Sequence, residues 1–562
     1  MRRTLWLCVL ASLVAALPVI SQAGPPVRIH VLSNRADLIS GGDALVEIAL
    51  PPGAGPATVD DDGRDVTAQF AMRPGGRFWG LVTGLDAGPN VLTVRLPDAS
   101  GAHITIANHA IGGPIFSGGQ ILPWLCTTQT NGLRPAQDAQ CNAPTTYELF
   151  YKSSDPTKSG FQPYPGPPAP APADVATTTT DRGETVSFIV RRERGTANRG
   201  IHDIAVLFDP AQPWSPWSPQ RGWNGKLHYP FGASCGTVHS QGSPSGVLVE
   251  SSLAKGFMVA NSSLNVLGSN CNTVTSAEST MMLKERIVEQ YGPIRYTIGS
   301  GCSGGSIGQH MVSNAYPSLI DGIQPTCSYA DTWSTGIQVA DCHLLLHYFN
   351  NTSPLLWAAP VQRGAVDGTM SPTSCIAWEA LFAPVLDPRN GCGLGPEEDY
   401  NPQTNPDGCR GTLPDYMISV VGARPEDGFG KLAYDNVGVQ YGLTALRSRL
   451  ILPEQFVDLN EKIGGFDIDI NFTPGRREAD PGSLRTLYQS GQINDGRQLD
   501  RVPIIDLRGT SNHEIHADYH TYVMRERLDR ANGHHDNQII WSNPLSLAGD
   551  PVATTQAFAL ID

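Results

Sequence analysis

Apolar and polar residues alternate in short runs near the start of the chain, between about residues 26 and 108. Such alternation is typical of β-strands that bury one face. Glycine-rich turns separate the runs, which are clearest at 27–31, 44–48 and 91–96. The pattern predicts a small β-sandwich domain, to which we assign residues 24–110.

The pattern changes after a proline-rich stretch. Six prolines between positions 163 and 172 favour an extended segment, so residues 111–184 are interpreted as a connection. From about residue 185, strand-like runs alternate with helical patterns, and an apolar stripe from Leu283 to Tyr291 predicts a helix over 275–291. This alternation predicts an α/β domain over residues 185–562 with a mostly parallel sheet.

A long insertion interrupts the α/β alternation between about residues 332 and 500. We interpret it as a cap over a functional site, because long insertions in such domains commonly carry function. Its oxygen-rich loop, with Asp399, Asn401, Asn405 and Asp407, is a candidate calcium site, although the spacing is not that of an EF-hand. No other cofactor is expected.

The first residues have the features of a secretory signal peptide. Arg2 and Arg3 precede an apolar run over 5–20, and the small residues Ser21 and Ala23 follow it. The run is shorter than the roughly 20 residues that span a bilayer, and Pro18 interrupts it. We therefore expect cleavage after Ala23 and a secreted or periplasmic protein.

Composition supports export and limits the partners. Removing residues 1–23 leaves ten cysteines, an even number that suggests up to five disulfides in an oxidising compartment. The chain has 39 basic and 53 acidic residues, a net charge of −14. This excess of negative charge disfavours nucleic acids and anionic membranes as partners.

The main chemical signal is a Gly-x-Ser-x-Gly sequence at Gly301, Ser303 and Gly305, just after a strand predicted at 294–298. It fits a nucleophile elbow, a sharp strand-to-helix turn that exposes a serine hydroxyl. Ser306 belongs to a second match, but it would lie one helical turn later, so Ser303 is preferred.

The same glycines also fit a dinucleotide-binding fingerprint, with Asp321 about twenty residues on. Asp321 is expected inside a strand at 319–323 rather than at its end, where a ribose would be held. The exported context also suits a nicotinamide cofactor poorly, so the nucleophile elbow is favoured.

A serine that transfers an acyl group needs an oxyanion hole and a base. The backbone N–H of Gly304 is the first expected donor to the oxyanion. The second is expected from the loop at 231–236, where Ala233 is the candidate. The base is sought in the loop after a strand predicted at 503–507, with His516 preferred over His520 and then His534.

The carboxylate that orients the base remains open between Asp331 and Glu514. Asp331 follows a predicted strand, as triad acids do, whereas Glu514 is only two residues from His516 and would have to reach back. The sequence from His513 to His516 is one residue short of the HExxH zinc motif. No metal is therefore expected at this loop.

The segment Gly301-Cys302-Ser303-Gly304-Gly305 resembles that of the tannase and feruloyl esterase group of secreted α/β-hydrolases. The wider layout is similar to a family of exported bacterial hydrolases with a Trp-Leu-Cys segment like 124–126 and a loop like 514–516. The resemblance implies an α/β-hydrolase fold with a large cap, Ser303 as nucleophile and Cys302 in a disulfide. One difference matters: tannases pair this cysteine with one beside the catalytic histidine, and here no cysteine follows Cys409.

These observations predict an exported serine hydrolase that cleaves a small or polymeric carboxylic ester through an acyl-enzyme. An amide or polyester hydrolase with the same site is one alternative. A second is a non-catalytic protein that binds a polymer or a surface on a hydrolase scaffold.

Overall fold

The computed structural model describes residues 26–369, 371–509, 514–543 and 551–562. The predicted signal peptide, residues 1–23, lies outside these ranges, and so does His513 of the histidine-rich loop. In the described ranges, no helix combines the length and the apolar character that crossing a membrane requires.

Residues 28–109 form nine short strands in two sheets. They are β1 (Arg28–Val31), β2 (Ile39–Ser40), β3 (Asp43–Ala49), β4 (Thr58–Asp61), β5 (Arg64–Asp65), β6 (Phe70–Arg73), β7 (Arg77–Thr83), β8 (Gly88–Arg95) and β9 (Gly101–His109). The sheets have the strand orders β1-β3-β7-β6 and β2-β9-β8-β4-β5. Val46, Val82, Leu92 and Ile106 are buried in a core that both sheets share. The strands predicted from alternation are therefore confirmed, with the apolar residues inside.

A ten-stranded mixed sheet forms the centre of the remaining chain. The strands that follow β9 are β10 (Thr146–Lys152), β11 (Phe161–Tyr164), β12 (Thr177–Thr179), β13 (Thr185–Ser187), β14 (Ile189–Ala197), β15 (Gly200–Leu207), β16 (Lys226–Pro230), β17 (Met258–Ser262), β18 (Tyr296–Cys302), β19 (Gly322–Thr326), β20 (Gly465–Phe466), β21 (Phe472–Thr473), β22 (Ile504–Gly509) and β23 (Gln538–Asn543). The large sheet has the order β11-β10-β14-β15-β17-β16-β18-β19-β22-β23. Neighbouring strands are antiparallel from β11 through β15 to β17 and parallel from β17 to β23. Because β10 and β11 lie within residues 111–184, the segment interpreted as a connection contributes two strands to this sheet.

Helices cover the sheet and fill the insertion. They are α1 (Glu250–Ala254), α2 (Thr273–Gln290), α3 (Gly304–Ala315), α4 (Thr332–His347), α5 (Pro360–Asp367), α6 (Ser374–Phe382), α7 (Leu413–Tyr416), α8 (Ile418–Val421), α9 (Leu443–Arg447), α10 (Pro453–Lys462), α11 (Ser483–Gln489), α12 (Tyr519–Asn532) and α13 (Pro551–Ile561). The predicted helix over 275–291 is confirmed as α2. It begins where the Asn272 side chain accepts hydrogen bonds from the N–H groups of Val274 and Thr275.

Two strand boundaries near the elbow differ from the sequence prediction. The strand predicted at 294–298 is β18, which spans Tyr296–Cys302. The strand expected at 319–323 is β19, which begins only at Gly322, because Ile320 is buried in the core without joining the sheet. Asp321 therefore precedes the strand, and its carboxylate accepts a hydrogen bond of 2.8 Å from the N–H of Thr297. Thr297 lies near the start of β18, at the opposite end of that strand from Ser303. This position does not suit a ribose-binding carboxylate.

The segment between β19 and β22 contains α4 to α11 and the β20–β21 hairpin. It builds a large hydrophobic core that includes Trp333, Trp357 and Trp378. Ile307 and Met311 of α3 belong to the same core. The insertion thus packs directly against the helix that begins after Ser303. Its function as a cap remains a prediction.

Four disulfides are present in the described part of the chain, compared with the five allowed by the cysteine count. They join Cys126 to Cys141, Cys235 to Cys271, Cys342 to Cys375, and Cys392 to Cys409. The second holds the loop after β16 against the loop after β17, next to the candidate site.

The candidate calcium loop uses its polar side chains to hold its own turns. Asp399 accepts a hydrogen bond from the N–H of Cys392, and Asn401 accepts two from Gln403 and Thr404. Calcium in this loop therefore remains a prediction without further support.

Helix α2 presents a buried carboxylate to the N-terminal sheets. Glu285 accepts hydrogen bonds from Asn34 Nδ2 at 2.9 Å and from the N–H and hydroxyl of Ser40. Burial outweighs these hydrogen bonds and raises the pKa of Glu285 to about 7. Glu289, one turn later, also has a raised pKa because it is buried beside Glu285.

We predict that Glu285 makes folding stability depend on pH. A carboxyl group whose pKa is raised by folding stabilises the native state at low pH, and this contribution is lost as pH rises from about 4.5 to 7. Between pH 5 and pH 8, the wild type should therefore lose ~1–3 kcal/mol more unfolding free energy than Glu285→Gln. Urea unfolding at both pH values measures this difference. The exposed Glu454→Gln should behave as wild type, and equal pH dependence in all three proteins would contradict the prediction.

Candidate active site

Ser303 lies at a sharp turn between a central strand and a helix. Strand β18 ends at Cys302 and α3 begins at Gly304, so Ser303 is the single residue between them. Its backbone has φ 59° and ψ −119°, a conformation that non-glycine residues rarely adopt. Strain of this kind is concentrated at functional sites, and here it matches the predicted nucleophile elbow.

The glycines after Ser303 permit a close backbone approach. A Cβ atom on Gly304 would lie 2.0 Å from the carbonyl oxygen of Ser234, and one on Gly305 would lie 2.5 Å from that of Phe231. The loop at 231–236 therefore packs directly on the elbow, as expected for the second part of an oxyanion hole. The carbonyl of Ser234 makes the closest approach to Gly304, and Ser234 directly follows Ala233, the predicted oxyanion donor.

Two features hold this loop and leave its central amides available. The N–H of Gly232 donates to the carbonyl of Asn265, and the N–H of Gly236 donates to the carbonyl of Leu267. The Cys235–Cys271 disulfide fixes the far side of the loop. Within the described part of the chain, no acceptor is found for the N–H groups of Ala233 and Ser234. These two amides are the candidates for the second oxyanion donor beside the N–H of Gly304.

We predict that Gly304→Ala lowers turnover by about 10²-fold or more, the loss typical of removing one oxyanion donor. The new methyl group cannot coexist with the Ser234 carbonyl, so the loop must move away from Ser303. Steady-state kinetics on an activated ester measures the effect. Gly475→Ala, where nothing lies within 4 Å of the added Cβ atom, is the matched control. Wild-type kinetics in Gly304→Ala would contradict the proposed oxyanion hole.

Ser306, the second serine in the motif, has a structural role. Its buried hydroxyl donates to the carbonyl of Ser303 at 2.6 Å and accepts from the N–H of Tyr329 at 2.9 Å. The hydroxyl thus connects the elbow to the segment after β19. This arrangement agrees with the choice of Ser303 over Ser306.

Ser303 lines a cavity beside the elbow. The insertion contributes several apolar or aromatic side chains to its lining, among them Val339, Trp378, Phe382 and Leu413. The insertion therefore forms one wall of the space in front of Ser303. Such a lining suits an apolar or aromatic group.

His516 and Glu514 form a hydrogen-bonded pair. The Nδ1 atom of His516 lies 2.8 Å from Glu514 Oε2, which also accepts from the backbone N–H of His516. The loop therefore folds back so that Glu514 reaches the ring, although the two residues are so close in sequence. The Nε2 atom of His516 is buried and has no hydrogen-bond partner among the described residues.

Tyr329 connects this pair to the Ser303 cavity, and Arg508 anchors the loop. The Tyr329 hydroxyl donates to the carbonyl of Ile515 at 2.6 Å, and its ring lies 5.5 Å from that of His516. Tyr329 also lines the Ser303 cavity. Arg508, at the end of β22, donates to the carbonyl of His516. Sequence reasoning missed both residues, although each lies at or just after a strand end, where functional side chains occur.

Glu514 remains ionised beside His516. Burial opposes its negative charge, but hydrogen bonds from the ring and N–H of His516, with the charge of Arg508, hold its pKa below the ordinary value. A carboxylate on Nδ1 favours the tautomer with a proton there and leaves Nε2 able to accept one.

Asp331, the other predicted acid, does not orient His516. Its fully buried carboxylate accepts from the N–H of Ser334, which caps α4, and forms an ion pair with Arg527. Arg527 lies 196 residues away in the sequence, so this pairing could not be anticipated from local pattern. Asp331 therefore has a structural role, and Glu514 is the candidate acid.

The alternative histidines are less suited to act as the base. Burial lowers the pKa of His520 to about 3, and its ring packs 4.4 Å from that of Tyr329. His534 is partly exposed after α12 and lies 3.9 Å from Asp536.

The tannase resemblance implies a disulfide for Cys302, and that pairing remains a prediction. The register of β18 and β19 places Cys302 opposite Thr326, next to Cys327. A hydrogen bond between the two thiols lowers the pKa of Cys302 to about 7 and raises that of Cys327. The pair lies immediately beneath the elbow.

Sequence comparison identifies the family. Residues 29–562 match the Tannase-like family of unknown function (DUF6351), and the chain therefore belongs to this family. The tannase-like resemblance seen at the elbow is thus confirmed at the family level. Among curated proteins, no sequence matches the chain.

Solved structures similar to the chain include three proteins from Aspergillus species. Feruloyl esterase B from Aspergillus oryzae has 12% identity and a TM-score of 0.31, over 71% of this chain and 78% of that chain. Tannin acyl hydrolase from Aspergillus niger has 10% identity and a TM-score of 0.31, over 74% and 81%. An esterase from Aspergillus oryzae has 11% identity and a TM-score of 0.29, over 73% and 80%.

Proposed function

We propose that the protein is an exported serine hydrolase of the α/β-hydrolase type that cleaves carboxylic esters through an acyl-enzyme. The observation that carries the proposal is Ser303, held in a strained turn at the carboxyl end of a central parallel strand and lining an apolar cavity. The His516–Glu514 pair on the same sheet edge supplies the other groups that acyl transfer requires.

The proposed reaction begins with attack of Ser303 Oγ on the ester carbonyl carbon. His516 Nε2 takes the hydroxyl proton, while Glu514 stabilises the charged ring through Nδ1. The N–H of Gly304 and an amide of the 231–236 loop hold the oxyanion. Collapse of the intermediate breaks the ester bond, and His516 gives its proton to the leaving alcohol. A water molecule then attacks the carbonyl carbon of the acyl-enzyme, with His516 again taking the proton. The bond to Ser303 Oγ breaks, which releases the carboxylic acid and free Ser303.

The proposed substrate carries an apolar or aromatic acyl group. The side chains of Trp378, Phe382 and Leu413 face the same cavity as Ser303, so burial of such a group favours binding. In this proposal the insertion acts as the cap. Export is supported by the four disulfides, which persist in oxidising compartments, and by the signal-like start of the sequence.

Matched substrates test the bond that is cleaved. We expect hydrolysis of a 4-nitrophenyl ester of an aromatic acid, and far slower release of 4-nitroaniline from the anilide of the same acid. Faster cleavage of the anilide would favour the amidase alternative. Absence of turnover on both, for folded protein, would favour the non-catalytic alternative.

A further inference from the structure

A second cleft shares no lining residue with the Ser303 cavity. Four parts of the chain form it. They are the connection at 117–124, the turn between β14 and β15, residues 264–275 around the start of α2, and Tyr416 and Ser419 of the insertion. The cleft therefore lies where the connection, the central sheet and the insertion meet.

Arg199 is the only charged residue that lines this cleft, and it is only 6% exposed. Within the described part of the chain, its guanidinium forms no ion pair and makes one hydrogen bond, from Nη1 to the carbonyl of Ile121 at 3.0 Å. It also lies 4.4 Å from the ring of Trp124. Burial without a countercharge is unfavourable, and it lowers the pKa of Arg199 to about 10.

Two further donors in the cleft have no acceptor. Asn198 is 3% exposed, and its Nδ2 atom has no hydrogen-bond partner among the described residues. The buried Nε1 atom of Trp124 has none either. Buried donors are usually satisfied in native proteins, so two of them beside a guanidinium without a countercharge suit a ligand that accepts hydrogen bonds.

The local backbone also favours a binding role for Arg199. Asn198 and Arg199 are the two central residues of a tight hairpin turn, with φ 51° and 61°. Such turns prefer Asn followed by Gly, because both positions need positive φ. Arg199 occupies the position best suited to glycine, and this strained conformation places its side chain in the cleft.

We propose that this cleft binds a small oxyanion, such as a carboxylate, sulfate or phosphate, through Arg199, Asn198 Nδ2 and Trp124 Nε1. An oxyanion supplies both the negative charge and the several acceptor lone pairs that these donors lack. The bound anion would link the turn between β14 and β15 to residues 117–124, beside Tyr416 of the insertion. The proposal is independent of ester hydrolysis at Ser303.

Calorimetric titration with sodium sulfate, sodium phosphate and sodium acetate tests the proposal and distinguishes the anions. We expect saturable binding of at least one of them to the wild type, and at least about tenfold weaker binding to Arg199→Gln. Arg501→Gln, whose side chain is 93% exposed, should bind as wild type. Absence of saturable binding for all three anions, or unchanged binding in Arg199→Gln, would overturn the proposal.

A second variant keeps the test valid if Arg199→Gln folds poorly. Asn198→Asp places a carboxylate beside Arg199 and keeps a residue type that tolerates the turn. We expect it to lose oxyanion binding and to melt at a higher temperature than the wild type in chloride buffer. Retained oxyanion binding or a lower melting temperature in Asn198→Asp would count against the site.

Discussion

Replacing Ser303 with alanine is expected to abolish ester hydrolysis and leave stability nearly unchanged. Serine and alanine meet the same backbone strain at φ 59°, so the substitution removes the nucleophile and little else. Loss of the nucleophile in a serine hydrolase typically lowers kcat by about 10⁶-fold, because the remaining groups cannot form an acyl-enzyme. Kinetics and thermal unfolding of the purified variant measure both parts of this prediction.

Ser306→Ala is the informative comparison for Ser303→Ala. It removes two buried hydrogen bonds and leaves the N–H of Tyr329 unsatisfied, so it should reduce stability by ~1–3 kcal/mol. Folded Ser306→Ala should still form an acyl-enzyme at Ser303. The assignment of the nucleophile would be wrong if Ser303→Ala remained active or if Ser306→Ala abolished acylation in folded protein.

The second large effect is expected at the His516–Glu514 pair. His516→Ala should lose activity nearly as completely as Ser303→Ala, because in the proposed mechanism His516 is the group that accepts the serine proton. Glu514→Gln should lower kcat by about 10⁴-fold, since an amide on Nδ1 no longer fixes the tautomer or stabilises the charged ring. Steady-state kinetics on an activated ester measures both.

Asp331→Asn is the control that separates the two acid candidates. It leaves Arg527 without its buried countercharge and weakens the cap of α4, so stability should fall. The fraction that remains folded should keep its kcat, as measured by active-site titration. A loss of kcat in Asp331→Asn, with wild-type kcat in Glu514→Gln, would reverse the assignment.

The elbow could be predicted because all its determinants are adjacent in the sequence. A strand, two small residues around Ser303 and an apolar helix pattern lie within about twenty residues, and each has a local physical reason. The contact with the 231–236 loop could be anticipated only as a requirement of the chemistry. The closeness of the backbone at Gly304 and Ser234 depends on the packing of β16 beside β18.

The acid could not be assigned from sequence because the decisive contacts depend on tertiary structure. Asp331 has the expected position after a strand, but Arg527 on α12 neutralises it. Glu514 is only two residues from His516, and the backbone path of the loop, anchored by Arg508 and Tyr329, lets its carboxylate reach His516 Nδ1. The strand boundary at β19 was wrong because burial of Ile320 produces an apolar run that extends beyond the sheet.

Covalent labelling with a fluorophosphonate, followed by peptide mass spectrometry, tests the central claim most directly. This reagent forms a stable bond with an activated serine, so the adduct identifies the nucleophile without knowledge of the substrate. We predict one adduct, on Ser303, which is absent in Ser303→Ala and forms much more slowly in His516→Ala. No adduct on folded wild-type protein, or an adduct on another residue, would contradict the account.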